Sequence, residues 1–409
     1  MTAARLHPLL QAVFRWGVLL TLCVAPTQWS IEPRPKTHLS PADLALAATA
    51  GVWFLDLLVC RDWRRLLRLP PWPHLALVAW AAVSALTAAD RGAAVKELVQ
   101  LVEYFLVGSM LFEAYLREGA VRVRQSLAVL GCATAVVLAL ALAHYFGPDA
   151  SPLSVRGTFG NRNVLGGFLA LALPLCFAGA LGARGAAVKA ACAALFTAGL
   201  TVTLSGAAYI AVAGAVVCLA ALRGPRFFVP AVAALVAWQA FVLPRLPREN
   251  DLAHFQSVAL YDGAGNVERR YPDWQAAYSM ALTHPWLGVG PGSYQKHIGQ
   301  YYDNVPRQTG PSEPDIQNLY AVLAASCGLP ALCAFLALLG VAVRDAARAG
   351  LASADRARGA LALGTAGALG AFAVAAVWHP LLVRGIGLPL VFLLALARCL
   401  GQPEKDDGL

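Results

Sequence analysis

The sequence predicts an all-α polytopic membrane protein, with about twelve transmembrane helices and one large structured extracytoplasmic loop between helices 9 and 10. Three observations carry that prediction. The 409 residues are 58% hydrophobic and 13% charged, with a mean hydropathy of +0.60, whereas soluble domains run near 45–50% apolar and about 25% charged. The apolar residues are gathered in long blocks of the ~20-residue length that a bilayer demands of a helix. The net charge of +9 is divided among short basic clusters between those blocks, as in loops retained on the cytoplasmic side. An ordinary water-soluble enzyme is excluded, and no aromatic-interleaved basic face suggests a nucleic-acid partner.

In order, the apolar spans are residues 9–27, 42–60, 73–89, 93–115, 126–146, 164–182, 186–204, 206–222, 227–244, 316–342, 359–378 and 384–400. The first has the size of a signal-peptide core, but no small-x-small cleavage site follows and eleven more spans do, so it reads as a helix. An even number of spans puts both termini on one side. Loops on that side carry Arg5, Arg61, Arg64, Arg65, Arg68, Arg117, Arg122, Arg124, Arg184, Lys189, Arg223, Arg226, Arg344, Arg348, Arg356, Arg358, Arg398 and Lys405. The opposite short loops hold only Arg34, Lys36, Arg91, Arg156, Arg162 and Arg384. The asymmetry predicts cytoplasmic termini. The nine cysteines all sit in apolar stretches without a CxxC or a neighbouring histidine, and read as small packing hydrophobes rather than disulfides or zinc ligands.

One connection is long, from about Pro244 to Pro314, and this topology places it outside the cytoplasmic membrane. Its aromatic residues, among them Tyr271, Trp274, Tyr278, Trp286, Tyr301 and Tyr302, argue for an ordered loop, since linkers are poor in aromatics. Asp273 to Thr283 has helical apolar spacing, ended by His284-Pro285. The GVGPGSY that follows gathers backbone N–H groups; it either binds an anion or reverses the chain, and turn propensity favours the reversal.

No GxGxxG follows a strand, and GxxxxGK[ST], HExxH and GxSxG are missing. An ATP-driven or nucleotide-cofactor reaction is therefore not expected, and neither a cofactor nor a metal is assigned. What stands out is polar residues at membrane depth or at helix ends on the outer face, where each is costly. The loop VRGTFGNRNVLGG at 155–167 places Arg156 and Arg162 against the charge rule, beside Asn163 and glycines that permit close backbone approach. Two guanidiniums there suit a phosphate or snorkel to lipid headgroups. Arg269-Arg270 precedes Trp274 in the long loop. At the start of the tenth span, Asp315 reads as a helix cap, whereas Gln317 and Asn318 have no such account. Lys96 and Glu103, on one face of the fourth span, read as an internal ion pair.

RGTFGNRNVLGG, VTLSGAAYIAVAG, RRYPDWQAAYSMALTHPWLGVGPGSY and QNLYAVLAASCGLPAL follow one another in the order and spacing of the bacterial O-antigen ligase and Wzy-type polysaccharide polymerase superfamily. The chain resembles that family from the GTFGN-type loop onward, with the earlier spans agreeing in number and hydropathy. The resemblance implies a metal-independent membrane glycosyltransferase in the bacterial inner membrane. Such an enzyme moves a glycan from an undecaprenyl diphosphate-linked donor to an acceptor hydroxyl on a glycan or lipid, in lipopolysaccharide or exopolysaccharide assembly. It further implies a division into N-terminal helices 1–5 (residues 1–150), a ligase/polymerase-like region (151–400) containing the extracytoplasmic loop 245–315, and a cytoplasmic tail (401–409). With no metal, the charge growing on the lipid diphosphate has to be met by arginines.

Carried over position by position, Arg270 matches the arginine of the family's R-x-x-x-W pattern, with Trp274 at its offset, and is assigned to the diphosphate. Asn318 matches the asparagine of the family's His-Asn pair. Two positions depart from the pattern. Gln317 stands where the family has an acceptor-activating histidine, and Gly206 stands where an arginine follows Ser205. Glutamine does not titrate near neutrality and can only orient, which leaves Glu313 and Asp315, then His284 or His297, as substitute bases. The candidate site is therefore Arg270, Gln317, Asn318, Glu313 and Asp315, with Arg156, Arg162, Asn163, Ser205, Arg269, Trp274 and His284 binding substrate. Competing readings are a transporter or flippase for a lipid-linked glycan or small anion, and a non-catalytic membrane partner; fold alone does not choose among them.

Overall fold

The computed structural model describes residues 3–34, 37–65, 68–147, 155–242, 245, 264–302 and 316–402. Its helices are α1 (Ala3–Val24), α2 (Pro41–Cys60), α3 (Trp72–Ala85), α4 (Arg91–Leu116), α5 (Ala120–Phe146), α6 (Arg162–Gly182), α7 (Ala186–Val202), α8 (Gly206–Leu222) and α9 (Pro225–Val242). After the long connection come α10 (Ala264–Thr283), a short α11 (Tyr294–His297), α12 (Leu319–Ala352), α13 (Arg356–Ala375) and α14 (Gly387–Leu400). Eight of these are long and apolar enough to cross a membrane: α1, α2, α4, α5, α6, α9, α12 and α13. Four shorter apolar helices, α3, α7, α8 and α14, fall where the remaining predicted spans lie. The sequence does not foresee a small antiparallel hairpin, Ile31–Arg34 with Thr37–Leu39, between α1 and α2.

The helix faces explain the layering. On α1, Phe14, Val18 and Leu22 are buried while Val13, Trp16 and Leu20 are exposed, so one stripe packs and the other faces outward. In α14 every residue except Arg398 and Cys399 is buried, as an apolar-all-round helix requires. At ~1.5 Å per residue its helical part covers less than the ~30 Å hydrocarbon core, and it lies inside the bundle rather than at its edge. None of α9's residues is buried, which places that helix on the periphery.

Helix α13 is the hub, packed against α6, α8, α12 and α14. Close approach depends on glycines: a Cβ on Gly364 would lie 2.6 Å from the Ala178 Cβ of α6, and one on Gly367 would lie 2.8 Å from Leu219 of α8. Without a hydrophobic drive between helices in lipid, such small-residue contacts supply the packing.

Buried charges gather at the end of the bundle where α1 begins. Asp56, with no side-chain exposure, faces His7 at 2.6 Å and accepts from Gln11 at 2.5 Å and Arg65 at 3.3 Å. Glu113 accepts from Arg117 at 3.2 Å and Arg398 at 2.7 Å. Arg15 and Arg122 share Glu118 at 2.8 and 2.9 Å. A cavity of about 370 Å³ opens among these groups. Arginines expected on one side of the membrane thus meet at one end of the molecule.

Cys60 is not merely a packing hydrophobe, because its Sγ lies 3.0 Å from His7 Nδ1; the contact joins α1 to α2 and has no sequence proximity to reveal it. Among the described residues, Lys96 and Glu103 form no ion pair. The charge pair in that region is Arg384 with Asp43, at 2.9 Å.

Candidate functional site

The long loop is ordered where described, as its aromatics suggest. Ala276, Ala277 and Met280 of α10 form a second, smaller apolar cluster with Ile298, Tyr302, Ile316 and Ala325, and Trp274 packs on its edge. Tyr302 donates to Asp273 at 2.5 Å, although burial pushes that carboxyl above its ordinary range. The Trp274 indole N–H is buried without a partner among the described residues. Since Ile316 is anchored in this cluster, the loop delivers the next residue, Gln317, to the bundle.

The glycine turn has a structural job. Helix α12 breaks at Gly328, whose φ of 83° suits glycine, and the break releases carbonyls of the preceding turn. Val289 N–H donates to Ala325 O and Gly290 N–H to Ser326 O, both at 2.9 Å, while Leu329 N–H donates to Pro285 O at 2.8 Å. From α3, Trp80 Nε1 donates to Trp286 O at 2.8 Å and Ser84 Oγ to Leu287 O at 2.5 Å. The amides of Val289 and Gly290 are therefore occupied by the broken helix, and of the two readings the chain reversal is the one supported.

The 155–167 loop is likewise pinned. Thr158 donates to Pro26 O at 2.5 Å, Gln28 N–H to Thr158 O at 3.1 Å, and Gly160 N–H to Gln28 Oε1 at 2.6 Å. Asn161 caps α6, its Oδ1 accepting from Asn163 N and Val164 N at 3.0 Å. Arg156 is exposed, and Arg162 and Asn163 are half-buried on the first turn of α6. Four residues beyond Arg162, and so on the same helix face, a Cβ on Gly166 would lie 2.8 Å from the Cβ of Ser205. That close approach sets α6 against the start of α8.

Ser205 is the N-cap residue of α8, yet its side chain makes no capping bond. It is 3% exposed, and its Oγ lies 3.2 Å from Nε2 of His379. The other ring nitrogen, His379 Nδ1, lies 3.3 Å from Oε1 of Gln317. Three distant segments thus meet in one hydrogen-bonded series, Ser205–His379–Gln317. The series is held by stitching α12 to α13: Leu319 N–H donates to Ala376 O at 2.9 Å, and Tyr320 Oη to Ala373 O at 2.6 Å. His379 follows Ala376 in the loop between α13 and α14.

Asn318 is the N-cap of α12, its Oδ1 accepting from Tyr320 N at 2.9 Å and Ala321 N at 3.0 Å, so the capping role expected of Asp315 is filled by Asn318. Glu313 and Asp315 lie outside the described residues. Arg269 and Arg270 are on α10, with their side chains outside the described residues. His284 is exposed and its Nε2 is 3.0 Å from the Tyr301 hydroxyl; that pairing keeps it within the long loop. His297 ends α11.

Sequence reasoning missed His379. It sits immediately after the span ending at 378, followed by Pro380, in no motif. The signal available was indirect: a histidine is missing at 317, and an unassigned one stands at a helix boundary.

Comparison with curated proteins gives no match. A family model described as O-Antigen ligase, Wzy_C, matches residues 190–336. That stretch contains Ser205, Arg270, Gln317 and Asn318, whereas His379 and the 155–167 loop fall outside it. The membrane-length apolar helices and the ordered residues 264–302 agree with that match, and over residues 190–336 the chain is similar to the O-antigen ligase family, Wzy_C.

Proposed function

We propose that the protein is a membrane glycosyltransferase that moves a glycan from an undecaprenyl diphosphate-linked donor to an acceptor hydroxyl at the outer face of the bacterial cytoplasmic membrane, in cell-surface polysaccharide assembly. The apolar helices are read as twelve crossings with both termini cytoplasmic. One observation supports the reading above the others: the two family positions Ser205 and Gln317 converge on one imidazole at the head of α8 and α12. A non-catalytic partner has no need of such convergence.

In this reading Arg270 meets the negative charge that grows on the departing diphosphate, with Arg162 as the second cation, an electrostatic stabilisation of the kind oxyanion holes provide. Gln317 orients the acceptor and cannot itself take its proton. Trp274 offers an apolar ring and an N–H without a partner among the described residues, beside the donor.

The test is Arg270→Ala in the native host, read on a surface-glycan gel with protein abundance checked in the same membranes. The expected result is loss of polymer or of its attachment. Unchanged glycan at normal abundance overturns the proposal.

A further inference from the structure

We infer that His379, through Ser205, is the proton acceptor for the acceptor hydroxyl, doing from the α13–α14 loop what Gln317 cannot. The inference rests on the transferase reading above. It identifies a group that no motif position provides, since His379 lies beyond the matched 190–336 segment.

Ser205 supplies the first argument. Serine is among the preferred N-cap residues, and losing a cap bond costs about 0.5–2 kcal/mol. Here the hydroxyl stands at the cap of α8 and makes no cap bond, turning to His379 Nε2 instead. A local rule broken at a buried position with a specific partner is the mark of a site. Gly166 adds to this, because any side chain there would collide with Ser205 and disturb the alignment.

The second argument is the direction of the hydrogen bonds. An amide oxygen only accepts, so Gln317 Oε1 takes the proton-bearing Nδ1 of His379. That assigns the lone pair to Nε2, which faces the Ser205 hydroxyl. Hydroxyl, base and orienting group then stand in the order that activates an oxygen nucleophile in unrelated enzymes. Gln317 is the orienter, which gives the departure from the family pattern a chemical role.

The step balances. The acceptor oxygen bonds to the sugar C1 as the bond from C1 to the diphosphate oxygen breaks, and the diphosphate leaves with that electron pair. The acceptor's proton passes to Ser205 Oγ while the Ser205 proton passes to His379 Nε2. The imidazolium is held by Gln317 Oε1 and later returns its proton to water, restoring the series.

The experiment uses the full chain in the native host and in membrane vesicles made from it, with endogenous lipid-linked donor. His379→Asn keeps a hydrogen-bonding side chain without a titrating ring, and His379→Gly leaves space for added imidazole. We expect His379→Asn to lose about 100-fold or more of glycan transfer, within the range for a general base, and imidazole to restore His379→Gly. More than a tenth of the wild-type rate in His379→Asn overturns the inference, as does an accumulated His379→Gly protein that imidazole leaves inactive. If the histidine variants do not accumulate, Ser205→Ala and Gln317→Leu decide. The relay predicts loss of transfer at normal protein abundance in both, since one removes the hydroxyl and the other the acceptor for Nδ1; wild-type transfer in either overturns it. Loss in Arg270→Ala with full activity in His379→Asn removes this inference alone, whereas full activity in both removes the transferase reading.

Discussion

The two polar regions of this bundle are built on opposite principles. At the α1 end, carboxylates are surrounded by cations: Asp56 by Arg65 and His7, Glu113 by Arg117 and Arg398, Glu118 by Arg15 and Arg122. At the head of α8 and α12, Ser205, His379 and Gln317 are linked in series by hydrogen bonds in which no member is a fixed charge. A buried charge without a partner is costly, so the first region is neutralised and holds helices together. A neutral series with an imidazole at its centre can accept and release a proton. Abundance of charge therefore marks structure here, and scarcity of charge marks the candidate chemistry.

That contrast can be broken most sharply by activity. His379→Ala is expected to cut glycan transfer by about two orders of magnitude or more while leaving thermal unfolding in detergent within roughly 2 kcal/mol of wild type, the range of ordinary single substitutions. A matching collapse of stability would place His379 with the structural region instead.

The reverse behaviour is expected of Glu113→Ala. Removing the acid leaves Arg117 and Arg398 unpaired at a half-buried site, at a cost of about 3 kcal/mol, read as a lowered unfolding temperature. Transfer per folded molecule should stay at the wild-type level, and a specific catalytic loss would erase the distinction between the two regions.

A smaller effect tests the glycine turn, which belongs with the structural group although it lies in a family-like motif. Gly328→Ala forces a side chain onto a positive φ beside the backbone of Trp286 and Leu287. A cost of about 1–3 kcal/mol follows for that strain, with faster proteolysis between 284 and 294 as the readout.

The smallest effect concerns Asp90 at the start of α4, which pairs with Lys296 of α11. The Lys296 hydrogen bond, helped by the Ala93 N–H, draws the Asp90 carboxyl down to about 2 from an ordinary 3.8. A depressed carboxylate contributes stability above its unfolded pKa and loses it as pH falls through the folded one. Protection of the α11 amides, taken as exchange relative to the intrinsic rate at each pH, should therefore be constant above about pH 4 and fall toward pH 2, and Asp90→Asn should abolish that fall. The pair is exposed, so the change is confined to the loop.

Much of this was legible in the chain. The twelve apolar segments each coincide with an apolar helix because hydropathy over ~20 residues reports directly on the surrounding medium. The order of the loop's described part, residues 264–302, was legible from its aromatics, and the match over 190–336 from the three motifs that fall within it. Less legible was anything that needs two distant segments. The His7–Cys60 contact, the Arg384–Asp43 pair in place of Lys96–Glu103, and Asn318 as the cap of α12 all depend on how helices meet or where one begins. Helix boundaries are set by local hydrogen bonds that shift by a residue or two without altering hydropathy.

Sequence alone determined that the chain is a polytopic helical membrane protein and pointed to lipid-linked glycan chemistry, because composition and contiguous motifs are one-dimensional properties. Tertiary structure decided which histidine faces Gln317. His379 and Gln317 come from different helix ends, brought together by the bonds from Leu319 to Ala376 and from Tyr320 to Ala373, and no spacing along the chain encodes that meeting. The physical reason is that a proton relay is defined by distances near 3 Å between side chains, which only the packing of α8, α12 and α13 fixes.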